Sequence, residues 1–249
     1  MITAIIPAKG TSQRVPRKNS QIVGKESLVD RAITFARSIP EISQIIVSTD
    51  SSELVASSTH LSGLASKFEG INSNESIKLN SNFMLHKRVE IDAQQDSKTI
   101  DVIKSISQSY DALQGDVLLL QPTSPFRFKS EFGTLIQLYQ ENGAGVFSAK
   151  KVDSPHPLKC FEISESQIPV LTSTLMVNLA KPAQQLPSFY APDGAYYLNS
   201  LNTLLSTGQF VSPNSRIFIR DPKFTLNIDT PEDLEFARAL APLFDTDDL

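Results

Sequence analysis

Along the first sixty residues, apolar runs of strand length alternate with stretches of helical period. Thr3 to Ile6 is a short apolar run of the kind that forms a buried strand, and Pro7 ends its pairing because proline has no N–H to give to a ladder. Residues 27–38 place Leu28, Ala32, Phe35 and Ala36 on one helical face, and Pro40 closes that helix. Gln44 to Ser48 reads as the second buried strand, delivering Thr49 and Asp50 at its C-terminal edge. Asp50 is read as the N-cap of a helix over 51–57, because aspartate is a favoured cap. Substrate contact is the competing reading, since open α/β sheets take ligands outside that edge.

Residues 57–100 are rich in serine, asparagine and charge and show no lasting period. Order returns with a helix over Thr99 to Tyr110 through Ile100, Ile103 and Ile106, then a strand over Val117 to Leu120. A helix at 130–141 and a strand at 144–150 follow. From 151 to about 192 the texture changes to short polar pieces broken by prolines, with no strong helix expected before Pro182. This stretch reads as an excursion from the main sheet, to which Asp193 to Leu198 returns. Thr230 is placed to cap a last helix, with Pro231 at its first position and acids in its first turn. The pattern is that of an α/β protein, and 249 residues suit one large domain with an appendage.

Charge narrows the function. The formal net charge is −4, so no basic field is available for nucleic acid. Yet Lys9, Arg14, Arg17 and Lys18 fall within ten residues directly behind the first strand, among Gly10, Thr11, Ser12 and Asn19. Glycine allows close backbone approach, and hydroxyls and cations add donors, so this loop suits an anion with several negative oxygens, such as a triphosphate. It is neither a G-x-x-x-x-G-K-[ST] loop nor a G-x-G-x-x-G turn. The single cysteine, Cys160, excludes an internal disulfide framework, and the three histidines form no H-E-x-x-H pair. No stretch approaches the length of a membrane span, and Lys9 interrupts the apolar start too early for a signal peptide, so a cytoplasmic location is expected.

The opening loop resembles that of sugar-acid cytidylyltransferases, A-R-G-G-S-K-x-x-P-x-K-N, at Ala8, Gly10, Ser12, Pro16, Lys18 and Asn19. Arg14 instead matches the S-x-R-x-P-x-K variant of the CMP-Kdo synthetases. Gln121-Pro122-Thr123-Ser124-Pro125-Phe126-Arg127 matches the family's L-Q-P-T-S-P-x-R almost letter for letter. Further fragments recur in family order: V-S-T-D at 47–50, H-P-L-K at 156–159, Gln184 to Pro187 like R-Q-x-L-P, Asp193 to Leu198 like N-G-A-I-Y-I, and residues 226–234 like x-D-I-D-T-x-x-D-L. Where the family has arginine before that glutamine this chain has Ala183, with Lys181 two residues upstream. Where it has the first aspartate of D-I-D, this chain has Asn227.

The resemblance implies a Rossmann-like nucleotidyltransferase fold, a mixed sheet flanked by helices, with 151–192 as a dimerisation excursion within a 1–249 domain. It implies transfer of CMP from CTP to a nonulosonic, sialic-type sugar acid with release of pyrophosphate. Lys9, Gly10, Ser12, Arg14, Lys18 and Asn19 would hold the triphosphate. Arg88 would help hold the cytosine, with Ser97 or Thr99 further along. Gln121, Thr123, Ser124, Lys159 and Gln184 would face the sugar acid. Asp229 and Asn227 would hold Mg²⁺, two-residue alternation putting them on one face. Lys18, Gln121 and Asp229 are the expected catalytic set. Gln121 cannot be a general base, and no convincing base is found. Arg127 is equally a ligand contact or a loop anchor. The alternatives are a CMP-Kdo synthetase, a glycosyltransferase of similar fold, which would want D-x-D after the mid-chain strand, and a catalytically impaired homologue that binds CTP.

Overall fold

The computed structural model describes residues 1–88, 99–110 and 113–244. Ser97, expected near the nucleotide, lies outside the described residues. The strands in chain order are β1 (Ile2–Pro7), a hairpin of β2 (Ile22–Val23) and β3 (Glu26–Ser27), β4 (Ile42–Thr49), β5 (Ser76–Asn80), β6 (Phe83–Lys87), β7 (Asp116–Leu119), β8 (Val146–Val152), a hairpin of β9 (Glu162–Ile163) and β10 (Pro169–Val170), β11 (Phe189–Ser200) and β12 (Arg216–Ile219). The helices are α1 (Leu28–Ser38), α2 (Ser52–Ser57), α3 (Ala65–Gly70), α4 (Thr99–Ser109), α5 (Lys129–Asn142), α6 (Ser173–Ala180), α7 (Leu201–Thr207) and α8 (Pro231–Phe244).

Eight strands form one mixed sheet in the order β12-β8-β11-β7-β1-β4-β6-β5. β1 pairs in parallel with β4 on one side and β7 on the other, and β4 with β6. β11 runs antiparallel between β7 and β8, and β5 antiparallel on the edge. The mixed α/β sheet expected from the sequence is therefore present. A strand covered on both faces reads as a continuous apolar run, and Ala4, Ile5 and Ile6 are fully buried. Ile6 and Ala4 join the core under α1, α2, α3 and α5, while Ile5 faces the opposite layer of α4 and α7 with Ile46 and Ile103. Since the chain leaves β1 toward β4 and later returns on the other side as β7, the crevice beyond β1 and β7 is the sheet's topological switch point.

A third, smaller core lies off the sheet. Val15 of the opening loop, Phe126 of the 121–127 loop, and Ile228 share it with Leu28 and with Leu234, Ala237 and Ala241 of α8. Phe126 packs its ring 4.7 Å from that of Phe244. Three segments distant in sequence are thereby fixed around one crevice.

Several expectations need correction. Ser51, not Asp50, caps α2, its hydroxyl accepting from Leu54 N at 3.0 Å. The excursion contains a helix before Pro182: α6 is capped by Thr172, whose hydroxyl accepts from Leu175 N at 3.2 Å. Its exposed side includes Met176, Val177 and Leu179, so no polar stripe gave the segment a helical period. β5 and β6 supply order where the sequence between 57 and 100 showed none. No helix among the described residues is long and apolar enough to cross a membrane.

Candidate active site

The loops that follow β1 and β7 diverge around a cavity of about 550 Å³. Lys9, Ser12, Arg14 and Lys18 line one wall, Gln121 and Thr123 the other, and Arg88 and Thr99 line the same cavity. The opening loop is shaped from below. Asn19 is buried, and its amide donates to the Lys9 carbonyl at 2.8 Å, so it bends the chain as well as reaching the cavity. Gly10 N donates to Asp50 Oδ1 at 2.8 Å. A Cβ on Gly10 would lie 2.5 Å from Ser51 Cβ, so the glycine is required by the crossing over the start of α2 rather than by ligand approach. Arg17 leaves the cavity altogether and pairs with Glu53 at 2.7 Å.

Across the cavity the 121–127 loop is fixed by buried donors. Arg127 is a loop anchor: its Nε donates to the Ala195 carbonyl at 3.0 Å and its Nη2 to the Gln121 carbonyl at 2.5 Å. Burial pulls its pKa down to about 10, still charged at neutral pH. Ser124, expected on the sugar acid, is buried and donates instead to the Asp193 carbonyl at 2.9 Å. Gly194 has φ +81°, and a Cβ there would come within 2.8 Å of both Gln121 Oε1 and Ser124 Oγ. Only glycine leaves the Gln121 side chain room to stand over β11.

Beneath this loop lies a charged network that the sequence did not reveal. Arg220 bonds Glu131 Oε1 and Asp193 Oδ2, each at 2.9 Å, and donates to the Phe126 carbonyl at 2.6 Å. Tyr196 OH donates to Glu131 Oε2 at 2.8 Å, and Ser148 Oγ donates to Asp193 Oδ1. Burial works against the Arg220 charge, but Glu131, Tyr196 and Asp193 together hold its pKa above the ordinary value. Burial and the Glu131 carboxylate push the Tyr196 phenol well up, so it stays a neutral donor.

The segment before α8 lies beside the cavity, outside its lining, and is tied to both loops. Ile228 N donates to the Thr123 carbonyl at 2.8 Å, stitching this segment to the 121–127 loop. Asp233 Oδ2 accepts from Asp229 N and Thr230 N at 2.9 and 2.8 Å, while Thr230 Oγ1 accepts from Asp233 N at 3.2 Å. Burial alone would raise the Asp233 pKa; these backbone donors outweigh it and hold the carboxyl below its usual range. Asp229 is thereby aimed at the opening loop. Its Oδ1 receives Lys18 Nζ at 3.2 Å and Arg14 Nη2 at 3.4 Å, and Lys18 also donates to the Ile228 carbonyl at 2.9 Å. Asn227, expected beside Asp229 as a metal ligand, turns its amide nitrogen to Asp229 Oδ2 at 2.9 Å. Its oxygen does not join the carboxylate.

Arg88 extends from the end of β6, buried, with its backbone N–H on the Thr49 carbonyl. Two residues earlier His86 is fully buried between Ser48 Oγ at 2.9 Å and Asn74 Oδ1 at 3.1 Å. Burial, with the Arg88 charge second, lowers its pKa to about 4, so it is neutral beneath the cavity. Lys159 and Gln184 are not among the cavity-lining residues: Lys159 Nζ donates to the Lys181 carbonyl at 2.6 Å, and Gln184 lies in the turn Ala183–Gln185. Both belong to the excursion, whose ends are tied where His156 Nε2 donates to the Pro187 carbonyl at 3.1 Å.

Comparison with known proteins agrees with this architecture. A family model described as cytidylyltransferase matches residues 3–65, which carry the opening loop and β4. The chain is 25% identical over 243 residues to CMP-N,N'-diacetyllegionaminic acid synthase of Legionella pneumophila subsp. pneumophila, covering 97% of each. It is 24% identical over 238 residues to pseudaminic acid cytidylyltransferase of Campylobacter jejuni subsp. jejuni serotype O:23/36, covering 95% of this chain and 94% of that one. Among solved structures, a CMP:2-keto-3-deoxy-manno-octonic acid synthetase complexed with CTP superposes with a TM-score of 0.63 at 15% identity, covering 97% and 98% of the two chains. A 4-diphosphocytidyl-2C-methyl-D-erythritol synthase from Anaerococcus prevotii superposes with a TM-score of 0.57 at 16% identity, covering 97% and 96%. These structural likenesses show the fold.

Proposed function

We infer that this chain is a sugar-acid cytidylyltransferase, which transfers CMP from CTP to a nonulosonic sugar acid and releases pyrophosphate. The observation that carries the reading is one cavity lined by cations of the opening loop and by Gln121, with the Asp229 carboxylate joined to it through Lys18 and Arg14. A hydroxyl oxygen of the sugar acid attacks the α-phosphorus and gives up its proton to solvent water, the bond to the bridging oxygen breaks, and pyrophosphate departs with the electron pair. Such reactions are catalysed chiefly by positioning and by neutralising phosphate charge. Lys9, Arg14 and Lys18 supply that neutralisation, Ser12 adds a hydroxyl donor, and Arg88 lines the same cavity, where the base of the nucleotide would extend. Gln121, held from below by Gly194 and Arg127, orients the acceptor; an amide takes up no proton.

The residues present also fit a magnesium ion that arrives with the nucleotide. Among the described residues no cluster of three or more His, Cys, Asp and Glu could form a metal cage. Asp229 Oδ1 is the carboxylate oxygen turned toward the loop cations. Mg²⁺ commonly uses one or two carboxylates together with substrate phosphates and retained waters. When bound, the ion would spread the triphosphate charge over its oxygens.

Assembly is part of the proposal. Ile163, Ile168, Met176 and Val177 of the excursion are all exposed, more apolar surface than one short segment ordinarily leaves to water. A homodimer would cover it, and the excursion would bring Lys159 and Gln184 to the neighbouring subunit's sugar acid. The deciding experiment is pyrophosphate release from CTP with N-acetylneuraminic, legionaminic, pseudaminic and Kdo acids offered in parallel. Release with at least one nonulosonic acid is expected. No release with any, at protein that binds CTP, would sink the assigned reaction.

A further inference from the structure

The contact between Asn227 and Asp229 assigns a role that neither residue type announces alone. Asn227 Nδ2 donates to Asp229 Oδ2 at 2.9 Å, so that carboxylate oxygen is already engaged. Asn227 Oδ1 is buried and makes no hydrogen bond; a Cβ on Gly194 would lie 3.6 Å from it. The amide oxygen therefore faces the floor of the loop, away from the carboxylate. Asp229 Oδ1 remains, and both Lys18 and Arg14 converge on it at 3.2 and 3.4 Å. Only 15% of the Lys18 side chain is exposed, and its other acceptor is the Ile228 carbonyl.

Resting on the reading that a nucleoside triphosphate occupies this cavity, we propose that Asn227 is a positioning residue that makes Asp229 a one-oxygen acceptor, exchanged between Lys18 and a divalent cation. Without nucleotide, a cation taking Oδ1 would leave a largely buried ammonium with a neutral carbonyl alone, an unfavourable state. With nucleotide, phosphate oxygens receive Lys18 and Arg14, and Oδ1 is released. Cation and nucleotide thus bind as a coupled pair, each strengthening the other by the same factor. An aspartate at 227 would undo the coupling, because a second carboxylate gives a cation a ligand while Lys18 keeps its partner.

The probe is Mn²⁺, followed by the electron paramagnetic resonance of the free ion, so no turnover is needed. Wild-type protein alone should show no saturable Mn²⁺ binding below millimolar concentrations, whereas Asn227→Asp should bind at least about tenfold more tightly. Calorimetry with an α,β-methylene analogue of CTP should show wild-type affinity rising at least about tenfold when Mn²⁺ replaces EDTA, and that gain shrinking in both Asn227→Ala and Asn227→Asp. Equal Mn²⁺ binding by wild type and Asn227→Asp without nucleotide would overturn the proposal. So would analogue affinity that ignores Mn²⁺ in all three proteins. Failure of the wild type to bind the analogue at all would instead remove the nucleotide reading beneath it. Circular dichroism confirms that each variant is folded before titration.

Discussion

Residues 121–127 hang on donors that water hardly reaches, whereas in the opening loop across the cavity Arg14 and Arg17 make their ion pairs at the surface. Arg127 and the Arg220 network fix the first loop from beneath. In the second, Arg14 is 66% exposed and Arg17 68% exposed in their ion pairs with Asp229 and Glu53. A buried ion network costs desolvation and holds one geometry; a surface pair is weak and exchanges partners readily. The division matches the two tasks. On the proposed reading Gln121 presents its amide in one orientation, and its backbone is held on the rigid side by Arg127. On that reading Arg14 gives up Asp229 for a phosphate at the surface, where that change is small, whereas the largely buried Lys18 leaves it only as a phosphate takes its place.

The largest effect should come from breaking the rigid side. Arg220→Met leaves Glu131 and Asp193 buried without their cation, and should cost about 3–5 kcal/mol in urea unfolding. A loss below about 1 kcal/mol would mean that the network does not hold the loop. Next is the floor beneath Arg88. His86 has its folded pKa lowered to about 4, against 6.5 unfolded, so the unfolded chain binds the extra proton. Stability from neutral His86 is complete above pH 6.5 and declines as pH falls toward 4, by on the order of 3 kcal/mol in all. His86→Gln should flatten this part of the pH–stability curve; an unchanged slope would refute the assignment.

On the exchangeable side effects should be kinetic. Lys18→Met should lower kcat/KM for CTP roughly ten- to a hundredfold, the worth of a hydrogen bond to a charged group, with little change in Tm. A stability loss with normal kinetics per folded molecule would make the loop structural. Smallest of all, Arg17→Ala should move Tm by about 2 °C or less and leave kinetics alone, since its partner Glu53 lies outside the cavity. A kinetic defect there would extend the exchangeable wall.

This contrast also explains what could be read from the sequence. Lys9 to Asn19 and Gln121 to Arg127 each follow an apolar run and Asn227 to Asp233 precedes a helix, so each was legible locally, but it was the resemblance to a known family that joined the three in one site. Arg220 gave no such sign. It sits after β12 in a stretch with no period, and its partners Glu131 and Asp193 are 89 and 27 residues away. Asp50 was misread for a related reason: aspartate before a helix suggests a cap, but Ser51 caps and Asp50 accepts from Gly10 across forty residues of chain. The Asn227 geometry was also hidden, because alternation fixes a face but not which atom of an amide turns to its neighbour.

The small core shared by Val15, Phe126 and Ile228 has a thermal consequence. It is separate from both faces of the sheet and joins the opening loop, the 121–127 loop and the segment before α8. Such a unit opens with its own free energy, below that of the strands it stands beside. On slow heating, catalytic competence should therefore vanish while the far-ultraviolet dichroism of the sheet is still intact. Amide protons around Val15 and Ile228 should exchange together and ahead of those in β1 and β4, as the working parts come loose from a frame that is still folded.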